Sequence, residues 1–385
     1  MSERSELLSI IASQLNNTAP DFGIADWRSL LKLAMAHGLL QYVALYADEL
    51  PEEKQPPAKI REYLFSVLMQ ETSRSANQLD AVAEMQDAME QNGVYNLAVK
   101  GSVTKLRYEN EILRTMGDID LLYKPEQHHV FKTLMLSLGY GDYQEGRKND
   151  TYSRPPFVTV EAHRELVESG SDYADYYRDI WQLAHPKDGL KYTYEMRVED
   201  ELVFNIVHLA EHFKEGGAGV RFIIDVYVYS RIGMDAEYVE HELTKLGLNE
   251  FYHHILDLAN HWFADGESSE LTEKLADFIM DGGVFGDKEN AAALAVEEGR
   301  ARHFIKVCFP DYASMKSMFP WLEGKGVLLP YAWGLRGVRA LHHRKSNVRT
   351  HMNAIKTGDT EKAKALRQFY TECGLNKNGF YKSRG

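Results

Sequence analysis

Residues 94–122 read VYNLAVKGSVTKLRYENEILRTMGDIDLL, and the rest of the chain is organised around them. Val94 to Val99 is a short, mostly apolar run between Gly93 and Gly101, which predicts a buried strand. Asp118 to Tyr123 is a second such run, stopped by Lys124-Pro125. Between them, Ser102 to Glu111 is compatible with a helix. Beyond them, Gln127 to Leu138 has helical spacing and closes at Gly139. Tyr140 to Tyr143 predicts a third strand, and Phe157 to His163 is another β-rich run.

The flanks carry a helical period. Trp27, Leu30, Leu31, Ala34 and Leu39 mark an amphipathic helix, with a partner segment ending near Leu50. The loop-like stretch Pro51 to Pro57 follows, and Ile60 to Gln91 predicts one or two long helices, stopped at Asn92-Gly93. From Glu199 onward the pattern is almost wholly helical. Leu202 to Phe213 is one helix, ended by the turn Glu215 to Gly219, and Arg221 to Ile232 reads as a helix whose apolar run also suits a strand. Gly282-Gly283, Pro310, Pro320 and Pro330 break the later helices. The fold class expected is therefore α+β. Residues 1–92 form an N-terminal helical region, 93–198 an α/β core with a small mixed β-sheet, and 199–385 a large helical C-terminal region with a basic tail.

Composition narrows the classes. The chain has 385 residues, 44% hydrophobic and 26% charged, which is a globular balance and excludes a disordered chain. It has no apolar run of the ~18 residues that a membrane-spanning helix needs. Its first residues lack the pattern of a secretory signal, so a cytoplasmic location is expected. The two cysteines, Cys308 and Cys373, make no disulfide framework and read as reduced thiols, with Cys308 expected to be buried. The net charge of −13 disfavours a nucleic-acid partner. That charge is uneven: residues 336–385 hold twelve Lys and Arg against three Asp and Glu, a net of +9 that leaves −22 on the first 335. Leu328 to Arg349 interleaves apolar and basic residues. It suits internal docking on the acidic body, an anionic acceptor, or peripheral contact with an anionic membrane surface.

The chemistry-bearing residues lie in the core. A strand has a two-residue period, so Asp118 and Asp120 share a face. Two carboxylates there repel each other unless a cation lies between them, and oxygen ligands of this kind suit Mg²⁺, with Mn²⁺ as the close substitute. Gly101 followed by Ser102 offers a close backbone approach and free amides at a helix start, an arrangement that holds phosphate. In Val158 to His163, Thr159, Glu161 and His163 face one way. If this strand lies beside that of Asp118, Glu161 completes a three-carboxylate cluster able to hold two divalent ions about 3.5–4 Å apart. Glu165 is the alternative third acid. His163 is a candidate to line the site. Lys100 and Arg114 are each placed either against phosphate or in a structural ion pair.

These residues carry a resemblance. A strand ending in Gly-Ser, a helix, Asp-x-Asp on a second strand and one more acid on a third resembles the nucleotidyltransferase fold of the DNA polymerase β superfamily. More narrowly, Lys100-Gly101, Tyr108, Arg114 and Asp118-Ile119-Asp120-Leu121-Leu122 resemble the bacterial family of uncharacterised nucleotidyltransferases. Trp27 to Gly38, His208, His212, the Arg221–Asp225 stretch and Pro310 to Arg339 resemble its other segments. The resemblance implies Mg²⁺-dependent transfer of a nucleoside monophosphate from a nucleoside triphosphate to a hydroxyl acceptor, with release of pyrophosphate. The acceptor would be a small molecule, a sugar or a protein. Asp118 and Asp120 would bind metal, with Glu161 as third acid near the attacking hydroxyl. Gly101 and Ser102 would hold the triphosphate, with Lys100, Arg114, His163 and His212 around the nucleotide.

Two alternatives stand beside this. One is a non-catalytic nucleotide- or partner-binding module on the same fold. The other follows from His208-Leu209-Ala210-Glu211-His212, an inverted zinc-protease pattern whose two histidines share a helix face. His253-His254 with His261 reads as surface or packing.

Overall fold

The computed structural model describes residues 2–18, 23–146, 149–168, 171–214, 216–283, 290, 309, 312, 315, 319–322, 324–343 and 360–375. Four helices precede the sheet: α1 (Glu3–Leu15), α2 (Trp27–His37), α3 (Leu40–Glu49) and α4 (Ala58–Gln91). Local chemistry sets their ends. The Asp26 carboxylate accepts the amides of Arg28 and Ser29 at the start of α2, and Gly38 closes it in the left-handed region. The segment from Ile60 is one helix, about 50 Å long at 1.5 Å per residue. It stops where Gly93 takes φ +68° and the Val94 amide returns to the Met89 carbonyl.

The core follows as β1 (Asn96–Val99), α5 (Gly101–Thr104), β2 (Ile119–Tyr123), α6 (His128–Ser137), β3 (Gly141–Glu145), β4 (Asn149–Arg154), β5 (Val158–His163), α7 (Ile180–Leu183), β6 (His185–Pro186) and β7 (Thr193–Glu195). The strands form one mixed sheet in the order β3-β4-β5-β2-β1-β7-β6. The fold is α+β, with more strands than the sequence pattern marked. The helix expected over Ser102 to Glu111 is instead α5 and two separate single turns, Lys105–Arg107 and Glu111–Leu113. The chain is extended at Tyr108, whose hydroxyl donates to Asp225 at 2.6 Å. The Lys105 ammonium, almost fully buried, donates to the Arg114 carbonyl at 2.8 Å and draws the loop back on itself.

Among the described residues the sheet is followed by α8 (Val198–Lys214), α9 (Val220–Ser230), α10 (Ala236–Leu246), α11 (Asn249–Phe263) and α12 (Glu270–Gly282). The apolar run from Arg221 is thus helical. Later come α13 (Leu329–His343) and α14 (Thr360–Glu372). Leu329, Trp333 and Leu335 pack with Met315, Phe319 and Leu322. Cys373 is buried, which pushes its thiol up to about 12. Cys308 and most of the basic tail, including Arg344, Lys345 and Arg349, lie outside the described residues. Among the described residues no helix is long and apolar enough to cross a membrane.

The pleat sorts the core into two faces. Ala98, Ile119, Leu121, Tyr123, Val160 and Ala162 pack on α4 and α6, through Ala81, Met85 and Phe131 among others. Leu97, Val99 and Leu122 lie on the opposite face, in one cluster with Phe204 and Val207 of α8 and Phe222 of α9. Asp120 shares this second face, so the acid of β2 looks toward the helical region.

Buried polar groups join the sheet to those helices. Arg114 forks onto Asp225 of α9, Nε to Oδ1 at 2.7 Å and Nη2 to Oδ2 at 2.9 Å. Arg107 makes the equivalent fork onto Glu201 of α8, which also accepts from the Tyr229 hydroxyl. Exposed ion pairs contribute little, but breaking a buried one leaves an uncompensated charge and costs ~3–5 kcal/mol. Asp225→Asn should therefore destabilise the protein by that order. Arg4→Ala, which removes exposed pairs with Asp277 and Asp281, should change stability by less than ~1 kcal/mol. Urea denaturation checks both, and equal losses would contradict this assignment of the Arg114 pair.

Candidate active site

The register of two strands builds the site. β2 and β5 run parallel with Asp120 opposite Glu161 and Leu122 opposite His163. On the other side, antiparallel β1 sets Val99 opposite Asp120, so the chain leaves β1 at Lys100 directly beside the acids. Lys100 donates from Nζ to Asp120 Oδ1 at 2.6 Å, and His163 Nε2 lies 2.7 Å from the same oxygen. His163 Nε2 is also 3.6 Å from Glu161 Oε2. Asp120, Glu161 and His163 bring one ligand atom each within 4.8 Å of one another, the one such group of three among the described residues.

Each acid answers to its surroundings. Burial pushes Asp120 up, but His163 and Lys100 outweigh it and hold the carboxyl below its ordinary value. Glu161 is raised by burial and then by the charges of Asp118 and Asp120. Asp118 stands one residue before β2, half-buried, outside the group of three. It is raised by burial and then by Asp120. Asp118 and Glu161 are thus carboxylates that gain from a cation, whereas Asp120 already has two partners. Oxygen ligands of this type fit Mg²⁺ or Mn²⁺.

The turn at Lys100 is strained. Lys100 adopts φ 52° and ψ −130°, a region that L side chains avoid at a cost of ~1–3 kcal/mol. Gly101 is there for space. A Cβ on it would meet Met116 Cγ at 3.1 Å and Sδ at 3.3 Å. The amides of Val103 and Thr104 return to the Lys100 carbonyl, which leaves those of Gly101 and Ser102 ahead of the first closed turn. Ser102 is buried, and its hydroxyl has no hydrogen-bond partner.

Beside the acids opens a cavity of about 630 Å³. Lys100, Glu161, His163 and His212 line it, as do Glu165 and His208. Glu165 lies past the end of β5 and is exposed, whereas Glu161 is the acid in register with Asp120. Arg114 does not line the cavity, because its guanidinium is held by Asp225 and the Thr115 carbonyl. It lies beneath the turn, with Nη1 3.9 Å from where a Gly101 Cβ would be. His208 and His212 bring their Nε2 atoms to 3.3 Å, but the three-ligand group does not include them. His253 and His261 are partly exposed beside Glu240 and Glu273. The sequence pattern did not mark Arg164, a cavity residue whose Nη2 donates to buried Asp150 at 2.6 Å. Asp150 comes from β4, a strand whose polar residues hid it.

The family model described as uncharacterised nucleotidyltransferase matches residues 24–264. The chain belongs to that family. The matched span holds α2 through α11, the whole sheet and every residue of the site just described. Comparison with curated proteins and with solved structures found no match. Membership in the family supports a nucleotidyl-transfer role in general terms.

The two cavity histidines have a measurable consequence. Burial, Arg221 and Lys100 push His212 from 6.5 down to about 4. His208 is lowered well below the same value, by burial and then by His212. The unfolded chain takes up protons below pH 6.5 that the folded pair refuses, so stability should fall from there to about pH 4. In the variant His208→Gln with His212→Gln this part of the fall should vanish in denaturation curves taken across the interval. Parallel curves for variant and wild type would show that the pair is not held neutral.

Proposed function

We propose that the protein is a divalent-metal-dependent nucleotidyltransferase that moves a nucleoside monophosphate from a nucleoside triphosphate to a hydroxyl acceptor. The observation that carries this is the register that sets Asp120 opposite Glu161, with Asp118 one residue before the strand, and with Asp118 and Glu161 each raised by burial and then by the neighbouring carboxylates. Carboxylates gain nothing from that placing unless a cation neutralises them.

The residues divide the work. The amides of Gly101 and Ser102 receive phosphate oxygens. Lys100 and His163 fix Asp120. Glu161, raised and bordering the cavity, takes the proton of the attacking hydroxyl. The acceptor oxygen forms a bond to the α-phosphorus, the bond to the bridging oxygen breaks, and pyrophosphate leaves with the electron pair. Mg²⁺ or Mn²⁺ at Asp118, Asp120 and Glu161 would supply charge neutralisation for this in-line displacement. Cavity walls from α8 place the acceptor beside Glu161, so positioning supplies much of the rate. The acceptor is a small molecule, sugar or protein. Nucleic acid is disfavoured by the net charge of −13.

One observation favours a second reading. Lys100 and His163 share Asp120 Oδ1, so that oxygen is neutralised without a metal, as suits a non-catalytic binding module. Pyrophosphate release separates the two. With the four ribonucleoside triphosphates, Mg²⁺ or Mn²⁺ and a panel of hydroxyl acceptors, wild-type protein should release pyrophosphate. Asp118→Asn with Asp120→Asn should lower release by at least ~10²–10³-fold while circular dichroism stays native. Undiminished release would remove the assignment. Nucleotide binding without any release by wild type would favour the module.

A further inference from the structure

Arg221 is a cation that no described acid hydrogen-bonds or ion-pairs. It lies in the first turn of α9 and is half-buried. Residues four apart on a helix are neighbours, so its natural partner is Asp225. Both oxygens of Asp225 are taken: Oδ1 by Arg114 Nε and the Tyr108 hydroxyl, Oδ2 by Arg114 Nη2. Arg221 makes no hydrogen bond or ion pair to any described residue. The other cations of the cleft are engaged. Lys100 is on Asp120, Arg114 on Asp225 and Arg164 on Asp150.

The helix neighbour of Arg221, Asp225, holds Arg114 beside the turn at Gly101. Arg221 is near enough to Asp118, Arg114 and Tyr108 for their charges to act on it, and burial with Arg114 pulls it down to about 10. Arg114 in turn sits under Gly101. On its other side, its charge reaches His208 and His212, whose rings pack on the next residue, Phe222. Two charged groups here therefore lack a hydrogen-bonded or ion-paired side-chain partner among the described residues: the carboxylate of Asp118 and the guanidinium of Arg221. A metal-complexed polyphosphate meets both, since its cation answers the acid and its non-bridging oxygens answer the planar fork of the arginine.

We propose that Arg221 binds the β- and γ-phosphates of the donor nucleotide and so makes the site select triphosphate over monophosphate. The proposal rests on the nucleotidyl-transfer reading, and its test separates the two. Isothermal titration with Mg²⁺ present compares ATP, AMP and base-free inorganic triphosphate on the full chain, for wild type, Arg221→Gln and Arg221→Lys. Wild type should bind ATP and inorganic triphosphate well above AMP. Arg221→Gln should weaken both triphosphates roughly 10- to 100-fold and leave AMP unchanged, with partial recovery in Arg221→Lys. Without ligand, Arg221→Gln should be as stable as wild type or more so, because it removes an unpaired half-buried charge. A merely structural arginine would give the opposite, a loss of stability with equal weakening of all three ligands, and that result would overturn the proposal. Unaltered triphosphate binding in Arg221→Gln would overturn it too while leaving the donor reading intact. Wild type that binds none of the three probes would defeat both.

Discussion

The parallel register between β2 and β5 is the constraint on which the rest depends. It puts Asp120 opposite Glu161 with a main-chain ladder between them, so the backbones that carry the two acids cannot separate without breaking the sheet. Asp118 adds a third negative charge just outside the strand. The sheet thus holds like charges close together at an energetic cost, and the remaining polar groups of the cleft are arranged around that cost. Lys100 and His163 answer Asp120. The strained backbone at Lys100 is what lets the lysine turn back on the strand it has just left.

The helical region has a matching role. Arg107 to Glu201 and Arg114 to Asp225 join the segment after Gly101 to α8 and α9. These pairs fix the cavity wall that carries His208 and His212 over the acids. They also occupy Glu201 and Asp225, which is why Arg221 is left without a hydrogen-bonded acid among the described residues. One side of the cleft is short of a cation and the other short of an anion, and the same class of ligand repairs both.

Much of this was legible from residues alone. The two apolar runs flanking Gly101 and Asp118 are strands because burial on both faces demands apolar residues throughout, and that signal is local. The common face of Asp118, Asp120 and Leu122 follows from the period of two. That Glu161 stands in register with Asp120 needed the sheet order, which no local pattern contains. β4 was missed because Asn149-Asp150-Thr151 are poor strand formers whose strand is set by pairing on both sides. The helix expected after Ser102 fails because Tyr108 and Arg114 must reach Asp225, a contact more than a hundred residues away in sequence. Arg114 could not be assigned to phosphate or to an ion pair without that partner. Arg221 was visible only as part of a resembling stretch, because an unmet charge is a property of the surroundings rather than of the residue.

The central claim is that the face shared by Asp118, Asp120 and Glu161 is a metal site. Anomalous diffraction at the manganese edge, from crystals grown with Mn²⁺ and a non-hydrolysable triphosphate analogue, tests it most directly. The expected result is a manganese peak within ligand distance of Asp120 and Glu161, with phosphate oxygens completing the shell. A bound analogue with manganese elsewhere, or with Lys100 still seated on Asp120 and no peak beside it, would contradict the account.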